Sequence, residues 1–243
     1  MAVIVLAVGL IGGVIGALLG RCAFALESSD DLPDWRGSSR TARVRVTAAL
    51  AVVSALTAVV SVLLVPAWDI GVGVWAFAAA SPGLAVIDIA ARRLPFAASG
   101  AVALIAVAGL AFAPSRLLTG LFTAAAVAAV LAVLSLVTGS GAGLGDVALA
   151  GVAALTLAWA GWGPVAMCFV VAMLASALVG LAARAWWGAE ALVPFGPFLA
   201  IGWWTALIIS IVDLMGKKKA LFNCSGGPEI SGPPYSATCW QRQ

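Results

Sequence analysis

The sequence predicts an all-α fold, a polytopic membrane helical bundle of about eight transmembrane helices. Two observations carry that expectation. The chain is 63% hydrophobic and only 9% charged, more apolar surface than a soluble domain could cover. Its apolar residues also fall in long runs. With roughly 20 residues needed to cross the hydrocarbon at about 1.5 Å of rise each, 243 residues hold about eight crossings joined by short loops. A third observation narrows the chemistry: there is no histidine, which excludes Ser/His/Asp and Cys/His catalysis and histidine metal ligation. The net charge of +3 bears on orientation in a membrane. The basic residues are dispersed and lack interleaved aromatics, which argues against a nucleic-acid partner.

Residues 1–20 form the first transmembrane helix. No basic segment precedes the run Ala2 to Leu19, so a retained helix is expected rather than a cleaved signal peptide. Gly12, Gly16 and Gly20 recur every four residues, with Gly9 and Gly13 beside them, and such a stripe lets a second helix approach closely. Residues 21–45 are a short cytoplasmic loop, with Glu27, Asp30, Asp31 and Asp34 followed by Arg36, Arg40, Arg43 and Arg45. A membrane domain fills 46–214, with spans expected at 46–65, 70–88, 96–113, 117–137, 147–162, 164–183 and 195–214. Residues 215–243 read as a polar, disordered tail. Cys22 and Cys168 sit in or beside apolar spans, and Cys224 and Cys239 lie in the tail. Without a C-x-x-C pair the sequence offers no metal site, and it implies no cofactor.

With the amino terminus outside, the inside loops hold Arg21, Arg36, Arg40, Arg43, Arg45, Arg92, Arg93 and Arg184, as the positive-inside rule requires. Lys217, Lys218 and Lys219 then fall outside and break the rule. The same topology brings Asp88 and Asp146 to the cytoplasmic face, because the loops after the third and fifth spans lie on one side.

The chain has ten acidic residues, so two meeting at one membrane face suggest a site. Asp88 lies near the end of a span, four residues before Arg92, and a plain helical ion pair is the competing explanation. Asp146 follows Gly139, Gly141, Gly143 and Gly145, and its competing explanation is an ordinary helix N-cap. Those glycines permit positive φ and give a peptide substrate backbone clearance, so Gly143 and Gly145 are candidate substrate-binding positions. The other acids rank lower. Asp69 is placed in a loop on the opposite side, Asp213 is explained by Lys217 four residues on, and Glu190 reads as a solvated loop residue.

Three segments together resemble the type IV prepilin peptidase family, the bacterial GxGD aspartic membrane peptidases. They are Ile87-Asp88 through Arg93-Leu94-Pro95, then Gly143-Leu144-Gly145-Asp146-Val147, then Pro194-Phe195-Gly196-Pro197-Phe198-Leu199-Ala200. The resemblance covers roughly residues 46 to 214. It implies a multi-pass peptidase of the inner (cytoplasmic) membrane with its active site facing the cytoplasm. Its substrate would be the basic leader of a prepilin or pseudopilin, with Asp88 and Asp146 as the catalytic pair. The chain departs from the family at Phe96, where an acidic or amide residue is common, and at Ala148, where lysine is common. Many members also carry two C-x-x-C pairs after the first span, associated with methylation of the new amino terminus. Here that loop offers Cys22 alone, so cleavage without methylation is expected.

Amide hydrolysis by two carboxylates needs one ionised and one protonated, with a water between them. A helix amino terminus favours Asp146 as the anion, and a position near a helix carboxyl end favours Asp88 as the acid. The competing functional readings are a proton- or cation-coupled transporter or scaffold, and an inactive peptidase relative. The expected partners are a prepilin or pseudopilin substrate and the lipid bilayer. The sequence leaves the oligomeric state open.

Overall fold

A computed structural model describes residues 2–26, 40–65, 67–91, 96–138, 143–187 and 193–225. Among them are eight α-helices: α1 (Ala2–Leu26), α2 (Arg40–Leu64), α3 (Trp68–Ala91), α4 (Phe96–Leu110), α5 (Pro114–Thr138), α6 (Leu144–Leu157), α7 (Trp162–Trp187) and α8 (Gly196–Ser225). The all-α expectation holds. Six of them (α1, α2, α3, α5, α7 and α8) are long and apolar enough to cross a membrane. The other two are short: α6 has 14 residues, about 21 Å of helix against about 30 Å of hydrocarbon. A turn of 3-10 helix, Ala158–Ala160, extends α6 toward α7.

Close contacts fix the direction of each helix. Gly12 faces Ala58 and Ser54 while Gly16 faces Leu50, so α1 and α2 run antiparallel. A Cβ on Gly16 would lie 2.6 Å from both the Leu50 carbonyl and the Ser54 hydroxyl. The glycine stripe is thus a packing surface, as its spacing predicts. Gly109 against Val72 with Gly73 against Ala106 sets α4 antiparallel to α3, and Gly151 against Ala124 with Gly120 against Leu155 sets α6 antiparallel to α5. Phe195 lies by Met173 to Arg184 while Gly202 lies by Cys168, so α8 runs antiparallel to α7. The carboxyl ends of α1, α3, α5 and α7 therefore share one end of the bundle with the amino ends of α2, α4, α6 and α8.

At the centre is α3, whose spanning segment is 67% buried, against 11% for that of α5. Pro82 lies inside α3 and removes the N–H that would bond the Ala78 carbonyl. In a membrane that carbonyl needs another donor. It has two: the Thr57 hydroxyl donates to it at 2.8 Å from α2, and the Ser81 hydroxyl at 3.2 Å. Trp75 does the same service for α2, its indole N–H donating to the Val65 carbonyl just past the helix end at 3.0 Å. Inside the bundle, Trp203 of α8 is fully buried, stacks at a tilt 4.7 Å from Phe77 of α3, and donates its indole N–H to the Thr156 hydroxyl of α6 at 2.9 Å. These contacts lock α3, α6 and α8, the three helices whose ends meet at the candidate site. Outward-facing Leu6, Leu10, Phe122 and Leu136 are exposed, as lipid-facing positions are.

Several boundaries differ from the sequence expectation. The stretch 21–45, expected as a loop, is helical at both ends, where α1 runs on to Leu26 and α2 begins at Arg40, because arginines near a helix end can reach the interface without ending the helix. The last helix runs to Ser225 rather than ending near 214, so Lys217, Lys218 and Lys219 continue α8. An ion pair between Lys217 Nζ and Asp213 at 2.8 Å supports that turn, as the four-residue spacing predicts. Asp69, expected in a loop, lies in the first turn of α3.

Candidate active site

Asp88 is carried by the last turns of α3 and is 4% exposed. A buried carboxylate in a membrane helix requires a donor. It finds one on α8, where the Gly196 backbone N–H donates to Asp88 Oδ2 at 2.6 Å. Gly196 is the first residue of α8, so this N–H is one of the group that a helix start leaves without an internal partner. The next residue, Pro197, has no N–H to offer. Glycine is needed here for space: a Cβ would stand 2.8 Å from Asp88 Oδ2 and 3.2 Å from its Cβ. The Asp88–Arg92 pair weighed from the sequence involves Arg92, which lies outside the described residues.

Asp146 is half-buried in the first turn of α6. The competing explanation, an ordinary N-cap aspartate, does not describe its position. Gly143 is the N-cap, with φ −69° and ψ 154°, and Asp146 sits three residues on. From there its Oδ2 accepts the Gly143 N–H at 3.3 Å, while its own N–H donates back to the Gly143 carbonyl at 2.9 Å. A glycine has no side chain to reciprocate, so this is half of a capping box. The positive φ that these glycines permit is not used at Gly143 or Gly145; among the described residues it occurs at Gly161. Gly143 does leave room beside the carboxylate: it is exposed, and a Cβ there would meet nothing closer than the Gly145 nitrogen at 3.9 Å. Gly139, Gly141 and Glu190 lie outside the described residues, as do Glu27, Asp30, Asp31 and Asp34.

The structure brings the two aspartates together at one end of the bundle, near enough that the charge of Asp88 acts on Asp146. Both stand at helix amino termini, Asp146 at that of α6 and Asp88 at that of α8. Helix dipoles therefore do not single out Asp146 as the anion and Asp88 as the acid, because α8 supplies Asp88 with the same favourable field. A cavity of about 530 Å³ opens beside Asp146, between α5, α6 and α7. Its walls include Leu131, Met173, Ser176, Arg184 and Phe195. The segment 193–196 thus touches both halves of the site. Phe195 lines the cavity at Asp146, and the adjacent Gly196 holds Asp88.

Sequence reasoning missed two contributors. In the sequence Gly196 is one residue of a motif, with no role of its own. Arg184 reads there only as an orienting charge. The signal for Arg184 is present in α7, where Met173, Ala177 and Arg184 recur at helical spacing on one face. Among the described residues no three carboxylates or thiols come together as metal ligands. Cys22 is exposed and Cys168 buried, both as free thiols.

No protein-family model, curated protein or solved structure matches the chain. The functional reading rests on the carboxylate geometry and on the three motif segments.

Proposed function

We propose that this chain is an aspartic endopeptidase of the inner membrane that removes the basic leader of type IV prepilin-like or pseudopilin substrates, and that it does not methylate the new amino terminus. One observation carries the reading. Two carboxylates from distant parts of a chain poor in acids converge at one bundle end, beside an open cavity, with one backbone segment contacting both sides. A membrane protein tolerates intramembrane carboxylates at a cost, and a pair of them is a site by default. The same end carries Arg21, Arg43, Arg45 and Arg184, and the positive-inside rule makes it the cytoplasmic one.

In the proposed reaction a water lies between Asp88 and Asp146, which share one proton. The ionised carboxylate takes a proton from the water as its oxygen bonds to the scissile carbonyl carbon. The protonated carboxyl gives its proton to the carbonyl oxygen. Collapse of the tetrahedral species breaks the C–N bond, and the proton taken from water passes to the leaving amine. The pair acts as a unit, so neither role is fixed to one residue. The Gly196 N–H holds Asp88 in place, and the cavity beside Asp146 admits the substrate.

Co-expression with a candidate prepilin tests the proposal. The expected result is a shortened pilin whose new amino terminus follows the leader. A panel of prepilins and pseudopilins left intact by a membrane-inserted protein would remove the reading and favour proton or cation coupling by the same aspartates.

A further inference from the structure

We propose that the groove between α1 and α2, at the same end of the bundle as the two aspartates, binds the phosphate headgroup of an anionic phospholipid. The groove encloses about 620 Å³ and is walled by Ala17 and Arg21 of α1 and by Arg43, Val44, Thr47, Ala48 and Ala51 of α2. Its floor is small and apolar, and its cations come from both helices. Ala17 and Arg21 are one turn apart, as are Arg43, Thr47 and Ala51, so each helix turns a single face to the groove. Both arginines fall inside the apolar spanning segments, 2–23 for α1 and 41–64 for α2. Each lies two residues from the end of its segment and is exposed, which puts the guanidiniums at headgroup level, where a phosphate is within reach.

Among the described residues no carboxylate pairs with Arg21 or Arg43; the ion pair of Lys217 with Asp213 lies at the far end. A phospholipid satisfies both parts of the groove. Its phosphate accepts bidentate hydrogen bonds from the guanidiniums, and an acyl chain lies along the alanine floor and the exposed Val14 and Leu18 of α1. An anionic headgroup fits better than a zwitterionic one, whose ammonium would bring positive charge back to two arginines. The competing occupant is the acidic stretch Glu27, Asp30, Asp31 and Asp34, which links the two helices in sequence.

The test is native mass spectrometry of the full chain in non-ionic detergent, titrated separately with phosphatidylglycerol and phosphatidylcholine of matched chains. The protein should bind one phosphatidylglycerol about tenfold more tightly than phosphatidylcholine. Arg21→Gln and Arg43→Gln should each weaken that preference about threefold to fivefold, and the double variant should bring it within about twofold. Lys217→Gln, at the opposite end, should leave it unchanged. Circular dichroism checks that each variant keeps its helix content, and the single variants carry the test if the double one does not fold. Equal binding of the two lipids by the unaltered protein, or a full preference in both single variants, would overturn the proposal. So would displacement of the lipid by millimolar inorganic phosphate, which would mark a site for free anions. Tight phosphatidylglycerol binding that emerges only when Glu27, Asp30, Asp31 and Asp34 are changed to their amides would also overturn it, and would assign the groove to that segment.

Discussion

Replacing Gly196 by alanine adds one methyl group at the point where α8 meets Asp88. The new Cβ would lie 2.8 Å from Asp88 Oδ2, 3.2 Å from its Cβ and 3.3 Å from its Cγ, closer than unstrained contacts allow. Asp88 is 4% exposed, so relieving the contact requires either its side chain to rotate or α8 to shift. Both outcomes lengthen the 2.6 Å bond from the Gly196 N–H. Overpacking of this kind costs about 1–3 kcal/mol. Loss of a hydrogen bond to a charged group falls in a similar range, about 1.5–3 kcal/mol. At roughly 2–4 °C per kcal/mol, the variant should melt about 5 °C lower, with activity falling further because a carboxylate displaced by about 1 Å loses on the order of 100-fold in rate.

The assay pairs a thermal melt of detergent-purified protein with the rate of leader removal in membrane vesicles, normalised to the amount of inserted protein. Gly180→Ala in α7 is the control, since nothing lies within 4 Å of a Cβ built there. An unchanged melt and an unchanged rate for Gly196→Ala would refute the claim that α8 positions Asp88. A lowered melt with a full rate would keep the packing argument and remove Asp88 positioning from catalysis.

Thr156→Val should lower stability by about 1–3 kcal/mol, because it leaves the fully buried Trp203 N–H without its acceptor; an unaltered melting temperature would show that another group takes its place. Cleavage by purified protein should survive a chelator, since the chain has no histidine and the proposed chemistry needs only two carboxylates; loss on chelation with recovery on adding zinc would contradict it. Mass spectrometry of a pilin processed by this protein alone should show a free amino terminus, because Cys22 by itself cannot hold the zinc of a cysteine-rich cytoplasmic domain; a methylated first residue would overturn that expectation.

The helices were readable in the sequence because a membrane imposes a length and an apolarity that few other constraints mimic. The limits of α3, α5 and α7 come within a few residues of expectation on that ground alone. The end of α8 was not readable from hydropathy, since the helix continues through Lys217 to Lys219 on local pairing after its apolar stretch ends. The convergence of Asp88 and Asp146 on one face followed from counting spans. What holds each carboxylate did not. The donor to Asp88 is a backbone N–H 108 residues away, and no side-chain pattern marks a backbone donor. An N-cap role for Asp146, the competing explanation, misses its position by three residues, because either position places a carboxylate within reach of the free N–H groups of the same helix start. The donors that Thr57 and Ser81 supply to the Ala78 carbonyl, freed by Pro82, were likewise hidden, since the first depends on how α2 packs against α3.

The central claim is that Asp88 and Asp146 act together on a peptide bond. It is tested most directly by following leader removal from one prepilin in membranes that hold equal amounts of the unaltered protein, Asp88→Asn or Asp146→Asn. Asparagine keeps the size of the side chain and can still accept the Gly196 or Gly143 N–H through its amide oxygen, but it cannot exchange a proton as a carboxyl does. The account predicts processing by the unaltered protein and none by either variant, with both variants inserted and folded. Full processing by either single variant would remove that aspartate from the mechanism and contradict a two-carboxylate site.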